Sequence, residues 1–584
     1  MSHARLALMG AIILVGALGC GKAVNSALQV EAVYCNRAIS YESTVTVQGQ
    51  ARYQRRTLAT GAPGGLGAVD STTKPIRYAE VAVLTEGDGL VQCGETDGSG
   101  YFSLSVPRGE RRLRLVVRSR ANNSQLRASV LNNPTDNFPY SIEASFVPSQ
   151  RTLTSLSLLA PATGTLEGGA FNILDQFLRA NEYLALNGLC SGVCTSTFTT
   201  PPKVSAYWTA GFNPNRYLGN SSPLLSFYVR GQRQIYILGG NLGDVNSTDT
   251  DHFDDSVIIH EYGHFIEDVS SISNSPGGTH QGTDPIDPRL AWSEAWANYF
   301  SASVLKTALY QDTQGNSQGS PGSPVVILEN LESGTRDTPT VGATGVGEGN
   351  FREFAISRFL WDAIDSAAST SYVDTDGDAV TAGSFNELWQ IFSGPFASSV
   401  RRFRNFGLFT QLQAAQGSAT NLSSLLTTHQ QKATQADYAT PDSGDACGAT
   451  TIVASRLAGD TGTSTTFSKS NQFASNDFYS YEHGGGSLTV TLTTASGPAD
   501  LDLYVYRDGY TYGSSSSLIG SSDNFRCLAG QTTETVTTTA SAGTIMLNVK
   551  VYSATVLPAS CGGGANDISS STYNLTVNGN KICP

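Results

Sequence analysis

The chain has 584 residues, of which 15% are charged, with a formal net charge of −13 and an isoelectric point near 5.0. That length exceeds one compact core and predicts two to four domains. The acidic balance excludes a nucleic-acid partner held by phosphate contacts, and the abundance of Gly, Ser and Thr fits a β-rich exported protein better than a cytosolic enzyme.

In chain order, residues 1–20 come first: one arginine, Arg5, then an apolar run from Leu6 to Leu18, then Gly19-Cys20. The run is too short for a membrane span and predicts a cleaved export signal. The ending Ala17-Leu18-Gly19-Cys20 resembles a bacterial lipobox. The resemblance implies a lipid on Cys20 that holds the protein to the outer surface of a membrane, as an envelope lipoprotein at the outer membrane or cell surface. A plain secretory signal is the alternative. Nine cysteines are present, and a lipidated Cys20 leaves eight, an even number suited to four disulfides in an oxidising compartment. Connectivity is not readable from spacing alone; proximity favours Cys35–Cys93, Cys190–Cys194, Cys527–Cys561 and Cys447–Cys583. Cys190 and Cys194 lack the second nearby pair that a zinc knuckle needs.

Residues 21–160 read as an all-β sandwich. Residues 44–56 alternate apolar and polar side chains, and residues 75–119 hold three or four strands broken by EGDG, TDGSG and PRG turns. The basic stretch 108–120 mixes arginines with apolar residues and predicts a strand with one solvated face. The order YAEVAV, TDGSGYF, VPRG resembles the carboxypeptidase-regulatory-like β-sandwich over residues 43–120. Such modules are accessory, so the resemblance implies no activity.

Residues 161–446 change period. Phe171, Ile173, Leu174, Phe177 and Leu178 recur at helical spacing within 168–188, and further helices are expected over 255–269, 291–305, 351–366 and 384–392. An α+β domain, mainly helical around its centre, follows, and it holds five of the seven histidines. Trp292, Trp296, Trp361 and Trp389 sit among apolar residues as core. Residues 447–584 return to Ser/Thr/Gly-rich strands. Residues 465–577, with the run Ala499–Tyr504, resemble the pre-peptidase C-terminal domain, a small β-sandwich of secreted bacterial proteases. Asp500 and Asp502 in that run read as a solvated strand face, with a Ca2+ site as the alternative.

The chemistry is concentrated in His260-Glu261-Tyr262-Gly263-His264. On a helix, positions i and i+4 share one face, so both imidazoles reach one ion. Asp254 and Asp255 suit the helix N-terminus, while Val257, Ile258 and Phe265 supply a buried face. Catalytic zinc takes three protein ligands and keeps one position open. A third histidine six residues after His264 is excluded, because Ser270 stands there. His280 and Glu294 remain, and Glu294 lies with Asn298 on one face of the next helix.

These residues resemble zinc metallopeptidases of the glutamate-zincin, thermolysin-like clan, which carry HExxH on one helix and ExxxD on a second. The resemblance implies Zn2+ held by His260, His264 and Glu294, with Glu261 as general base. Asn298 stands where the family has an aspartate that orients a ligand histidine, and a neutral amide still accepts an imidazole N–H. The stretch AWSEAWANYF is closer to a group of secreted bacterial metallopeptidases. An oxyanion also needs a donor: His280, in a Gly-rich loop between the two helices, comes first, with Arg352, Arg358 and Tyr299 as rivals and an ordinary surface histidine as the bland reading. His252 precedes the first metal helix and reads as a cap or a solvent-exposed side chain, with a cleft-edge role as the other option. Residues 374–380 have a calcium-loop composition, but Ala379 and Phe385 stand where an EF-hand needs Gly and an acid, so this is not an EF-hand, and a non-standard Ca2+ site is only the lesser alternative. The expectation is an exported zinc peptidase acting on protein or peptide substrates. A surface adhesin with an inactive peptidase domain and a zinc hydrolase of non-protein amide bonds are the alternatives. Cleavage specificity and oligomeric state stay open.

Overall fold

The structure, a computed structural model, describes residues 38–59, 65–149, 156–188, 199–220, 223–245, 247–273, 275, 277, 280, 282, 286, 288–313, 325–332, 348–365, 369, 372–374, 384–398, 404–416, 422–429, 431, 450–453, 476–496, 501–507, 518–523, 533–551 and 570–582. The export signal with Cys20, seven further cysteines, Asp500 and residues 375–380 lie outside them. Cys93 is disulfide-bonded. No described helix is long and apolar enough to cross a membrane. By chain contacts the molecule divides into two units, residues 1–269 with 300–330, and residues 270–299 with 331–584.

The first unit is built on sandwich-like sheets. Strand Thr44–Tyr53 runs antiparallel to Tyr101–Pro107 and Lys74–Pro75 and parallel to Leu156–Ala160. Strands Ser141–Phe146, Leu113–Arg118, Glu80–Thr85 and Leu90–Glu95 form a second sheet in that order. The alternation in Thr44–Tyr53 is strict: Val45, Val47, Ala51 and Tyr53 are buried. In the TDGSG turn, Asp97 accepts from the backbone N–H groups of Ser99 and Tyr101 at 2.8 and 2.9 Å. Gly100 takes φ +75°, where a Cβ would meet the Ala51 carbonyl at 2.5 Å. The basic stretch departs from a simple solvated face. Arg120 is buried, and with Arg118 it pairs with Glu80, a carboxylate with no exposure at all. The partner that makes this burial tolerable stands 40 residues away in the chain.

A third sheet crosses residue 160: Phe227–Val229, Gln234–Tyr236, Val204–Tyr207, Arg127–Leu131 and Arg120–Asn122, with parallel pairs at its centre. Helix α1 (Glu167–Asn187) buries the five predicted apolar positions. Helix α2 (Pro214–Tyr217) is one turn capped by Asn213. Helix α3 (Asp255–Ser270) buries Val257, Ile258 and Phe265 as predicted, and Ile259, Tyr262 and Ile266 as well. Polar contacts fix α1 against α3: Asn172 donates to the His252 carbonyl at 3.0 Å, and the Tyr262 hydroxyl donates to Asn181 at 2.7 Å. Phe177 stacks on Tyr262 with ring centroids 4.6 Å apart. Arg55 anchors the first turn of α3 through Asp255 at 2.6 Å, a carboxylate placed to favour the helix N-terminus.

Helix α4 (Pro288–Leu305) starts in the second unit and ends in the first, with proline at its first position. Apolar residues cover it on all sides, which is the pattern of a buried helix. Trp292 and Trp296 are fully buried, and Trp296 stacks on Phe392 at 3.5 Å. Trp361 is buried as predicted, and Trp389 is half-buried. The helix expected over 351–366 is a 3-10 turn, Glu348–Phe351, followed by α5 (Glu353–Asp362), because Arg352 between them is extended. Ser384 forms a capping box with Glu387 at the start of α6 (Phe385–Ile391), which runs on into a π turn, Phe392–Phe396. Helices α7 (Phe406–Ala415) and α8 (Leu422–Thr428) follow.

The C-terminal residues form two antiparallel sheets. One orders Thr450–Val453, Ser570–Val577, Gly486–Ser496 and Thr533–Ala540; the other orders Asn476–His483, Gly543–Val551, Leu501–Arg507 and Leu518–Ser522. Leu488, Val490, Leu492, Leu575 and Val577 from the first meet Leu503, Val505, Leu547 and Val549 from the second in one core. Asp502 does not lie on a solvated face: it is buried, and the strand register sets it opposite Lys550.

Candidate metal centre

Helix α3 brings His260 and His264 to one face, as the i, i+4 spacing dictates. Their Nε2 atoms are 3.1 Å apart and the rings meet edge to face at 87°. Two nitrogens bound to one tetrahedral zinc at its usual bond length stand about 3.3 Å apart, so the imidazoles are already at ligand spacing. The ring of Tyr310 packs against His260 at 5.7 Å.

The third donor comes from α4. The Ser301 hydroxyl donates to the Ser256 carbonyl at 2.8 Å and ties α4 to α3. Glu294 lies two turns earlier on the same continuous helix. One ligand atom from each of His260, His264 and Glu294 lies within 4.8 Å of the others. Burial singles out two of these positions. From 251 to 267 only His264 escapes full burial, and from 288 to 304 only Glu294 does. Two otherwise enclosed helices open at these two candidate residues, as a metal with one exchangeable position would require. Two imidazole nitrogens and one carboxylate oxygen form a donor set that fits Zn2+. Glu261, next to the first ligand, is buried.

The remaining sequence-derived candidates divide. His280 Nε2 lies 3.7 Å from Glu294 and 3.3 Å from Glu353. Its segment presses on α5: a Cβ at Gly282 would meet the Phe354 ring at 2.3 Å. Asn298 is buried and its amide donates to Glu353 at 2.7 Å, so this amide turns toward a carboxylate. Glu353, which sequence reasoning missed, thus stands between Asn298 and His280. Its only signal in the chain is an acid at the first position of a helix. Tyr299 is fully buried beside Trp296 and Phe385, Arg358 is buried within α5, and Arg352 is half-buried at its start.

His252 is neither a cap nor solvent-exposed. It has no exposure and packs between Trp208, at 5.0 Å, and Phe253, at 4.6 Å. Burial, with Arg56 adding to it, pushes its pKa down to about 3, so it is a neutral core residue. Two acidic groups complete the inventory: Asp249, Asp251 and Asp312, and Glu332, Asp365 and Asp374. The latter includes the first acid of the calcium-like stretch.

No family model and no curated protein matches the chain. Among solved structures, the pre-peptidase C-terminal domain of a collagenase from Bacillus anthracis is similar to 22% of the chain. It is covered over 89% of its own length, at 14% identity and a TM-score of 0.13. A cycloisomaltooligosaccharide glucanotransferase from Paenibacillus sp. covers 92% of the chain and 71% of itself, at 9% identity and a TM-score of 0.11. Likenesses this slight carry nothing about activity.

Proposed function

We propose that the chain is an exported zinc-dependent peptidase of the glutamate-zincin type, flanked by accessory β-sandwiches and tethered by lipid on Cys20. The observation that carries the reading is the convergence of His260, His264 and Glu294 within 4.8 Å, with the buried Glu261 beside the first ligand. A zinc ion held by these three residues supplies a Lewis acid for a carbonyl oxygen and a water whose pKa falls to about 7.

The chain's own residues do the rest. Glu261 takes the proton of the attacking water on its carboxylate and hands it to the departing amine. Its position directly after a ligand keeps it within reach of that water without joining the ligand set. His280, with a proton on each ring nitrogen, directs Nε2–H at Glu353, 3.3 Å away, and has Nδ1–H left for the developing oxyanion, while Asn298 donates to Glu353 at 2.7 Å. The test is hydrolysis of a quenched-peptide mixture by the purified full chain beside Glu261→Gln, with bound zinc measured on both. One zinc per chain in both, activity in the parent and at least about a 10²-fold loss in the variant are expected. A parent that retains no zinc and cuts nothing overturns the reading.

A further inference from the structure

The acidic group of Asp249, Asp251 and Asp312 differs from the His260, His264 and Glu294 cluster in every donor. Asp249 and Asp251 lie in the segment that leads into α3, and Asp312 lies on the strand Leu309–Thr313. One ligand oxygen from each falls within 4.8 Å of the others. Asp251 is 2% exposed, and its Oδ2 accepts the Ser226 hydroxyl. Its other oxygen, Oδ1, is buried and has no hydrogen-bond donor among the described residues. The Oδ1 atoms of Asp249 and Asp312 are in the same condition. Buried carboxylate oxygens without donors are costly unless a cation meets them.

The neighbourhood makes the cost worse. The charges acting on Asp312 come from Asp249 and Asp254, and those on Asp251 include Asp249, Asp312 and Glu261. Burial first, then these like charges, push Asp251 and Asp312 well above the usual carboxylate range. Burial alone pushes Asp249 up to about 6. A shared proton relieves part of this repulsion; a divalent cation, with two charges against three carboxylates, relieves more of it.

We propose that Asp249, Asp251 and Asp312 form a calcium site that fastens the lead into α3 to the strand Leu309–Thr313. Calcium accepts six to eight oxygens at about 2.3–2.6 Å, so two of its ligands stand at most about 5 Å apart, as these do. An all-oxygen, all-carboxylate set is hard and selects calcium over zinc. The site has a structural consequence for α3. Thr313, next to Asp312, donates from its backbone N–H at 2.5 Å and its hydroxyl at 2.9 Å to Asp254. The Asp254 carbonyl in turn accepts from Ile258 in the first turn of the helix, at 3.0 Å. Tyr310, two residues before Asp312, packs against His260. The ion therefore braces the strand that supports both the start of α3 and the ring of a metal ligand.

The experiment is calcium titration of the chelator-stripped full chain by calorimetry, with the thermal midpoint followed in parallel. It compares the parent with Asp251→Asn, Asp312→Asn and, as a control in the other acidic group, Glu332→Gln. Parent and control should bind calcium and gain several degrees. Asp251→Asn and Asp312→Asn should each lose at least about tenfold in affinity at one binding step, since ligand charge tunes such sites over decades. Circular dichroism establishes that each variant folds, and Asp249→Asn replaces either one that does not. A parent indifferent to calcium up to about 10 mM, well above the affinity of weak extracellular sites, overturns the proposal. So does parental affinity in the folded aspartate variants.

Discussion

Two sets of donors surround the same helix, and they are assembled in opposite ways. His260 and His264 come from one turn of α3, and Glu294 comes from the next helix; the set mixes nitrogen with oxygen and leaves His264 and Glu294 short of full burial. Asp249, Asp251 and Asp312 come from a loop and a strand; the set is all oxygen, and buried oxygens in it lack donors. A catalytic ion needs an exchangeable position and ligands that do not fill its shell, whereas a structural ion is best enclosed. The contrast is the one the two proposals require, chemistry at the first cluster and bracing at the second.

That assignment breaks if the two sets cannot be emptied separately. The largest effect is expected from His264→Ala. It should lose stoichiometric zinc and fall to background hydrolysis while its calcium-dependent gain in thermal midpoint persists; metal analysis and melting of the same sample check both halves. Glu261→Gln should keep its zinc and still lose about 10²–10⁴-fold in kcat, the usual contribution of a positioned general base. Loss of zinc from that variant would show that Glu261 supports the ligands and does not act on the substrate. Asp254→Ala comes next. It strands the Thr313 N–H and hydroxyl in a buried place and should cost about 1–3 kcal/mol of stability, measured by denaturant unfolding. It should also weaken calcium binding, because Thr313 adjoins Asp312.

The first cluster was legible in the chain because its spacing is the period of a helix. HExxH predicts its own geometry, and Glu294 follows from a second helical run with an acid at a facing position. The second cluster has no linear form: Asp312 is separated from Asp251 in the chain by helices α3 and α4, and the pairing of Leu309–Thr313 with Val325–Asn330 shapes the strand that carries it. The same limit hid the Glu80 partner of Arg120, and the parallel pairing of Arg127–Leu131 with Val204–Tyr207 across residue 160. His252 was misread for a related reason. Its place just before the helix suggested a cap or a solvent-exposed side chain, while Trp208, 44 positions back in the chain, removes it from water. Helices and strands declared themselves by periodicity; burial of charged and titratable groups depended on partners brought from elsewhere.

Acid should separate the two regions with the smallest change in composition. His252 has a folded pKa near 3, below its ordinary value of 6.5. Its unfolded form therefore binds the extra proton, and stability is lost as pH falls below about 6.5, by about 1 kcal/mol at pH 5.5. Asp249 moves the other way. Its folded pKa is raised to about 6, so in calcium-free protein its contribution is fully present below about 3.8 and disappears as pH rises through 6. Acidification from pH 7.5 to 5.5 thus sets losses at His252 and at His429, which burial likewise pushes down to about 3, against a gain at the aspartates, and the stripped chain's own change is the baseline for the calcium effect. With calcium bound, the aspartates are held ionised and their gain is removed, while protons now compete with the ion. The calcium-dependent increment in thermal midpoint should therefore be greatest at pH 7.5 and shrink steadily toward pH 5. An increment that does not vary with pH would mean that calcium binds at carboxylates of ordinary acidity, and the three aspartates would then owe their arrangement to a shared proton.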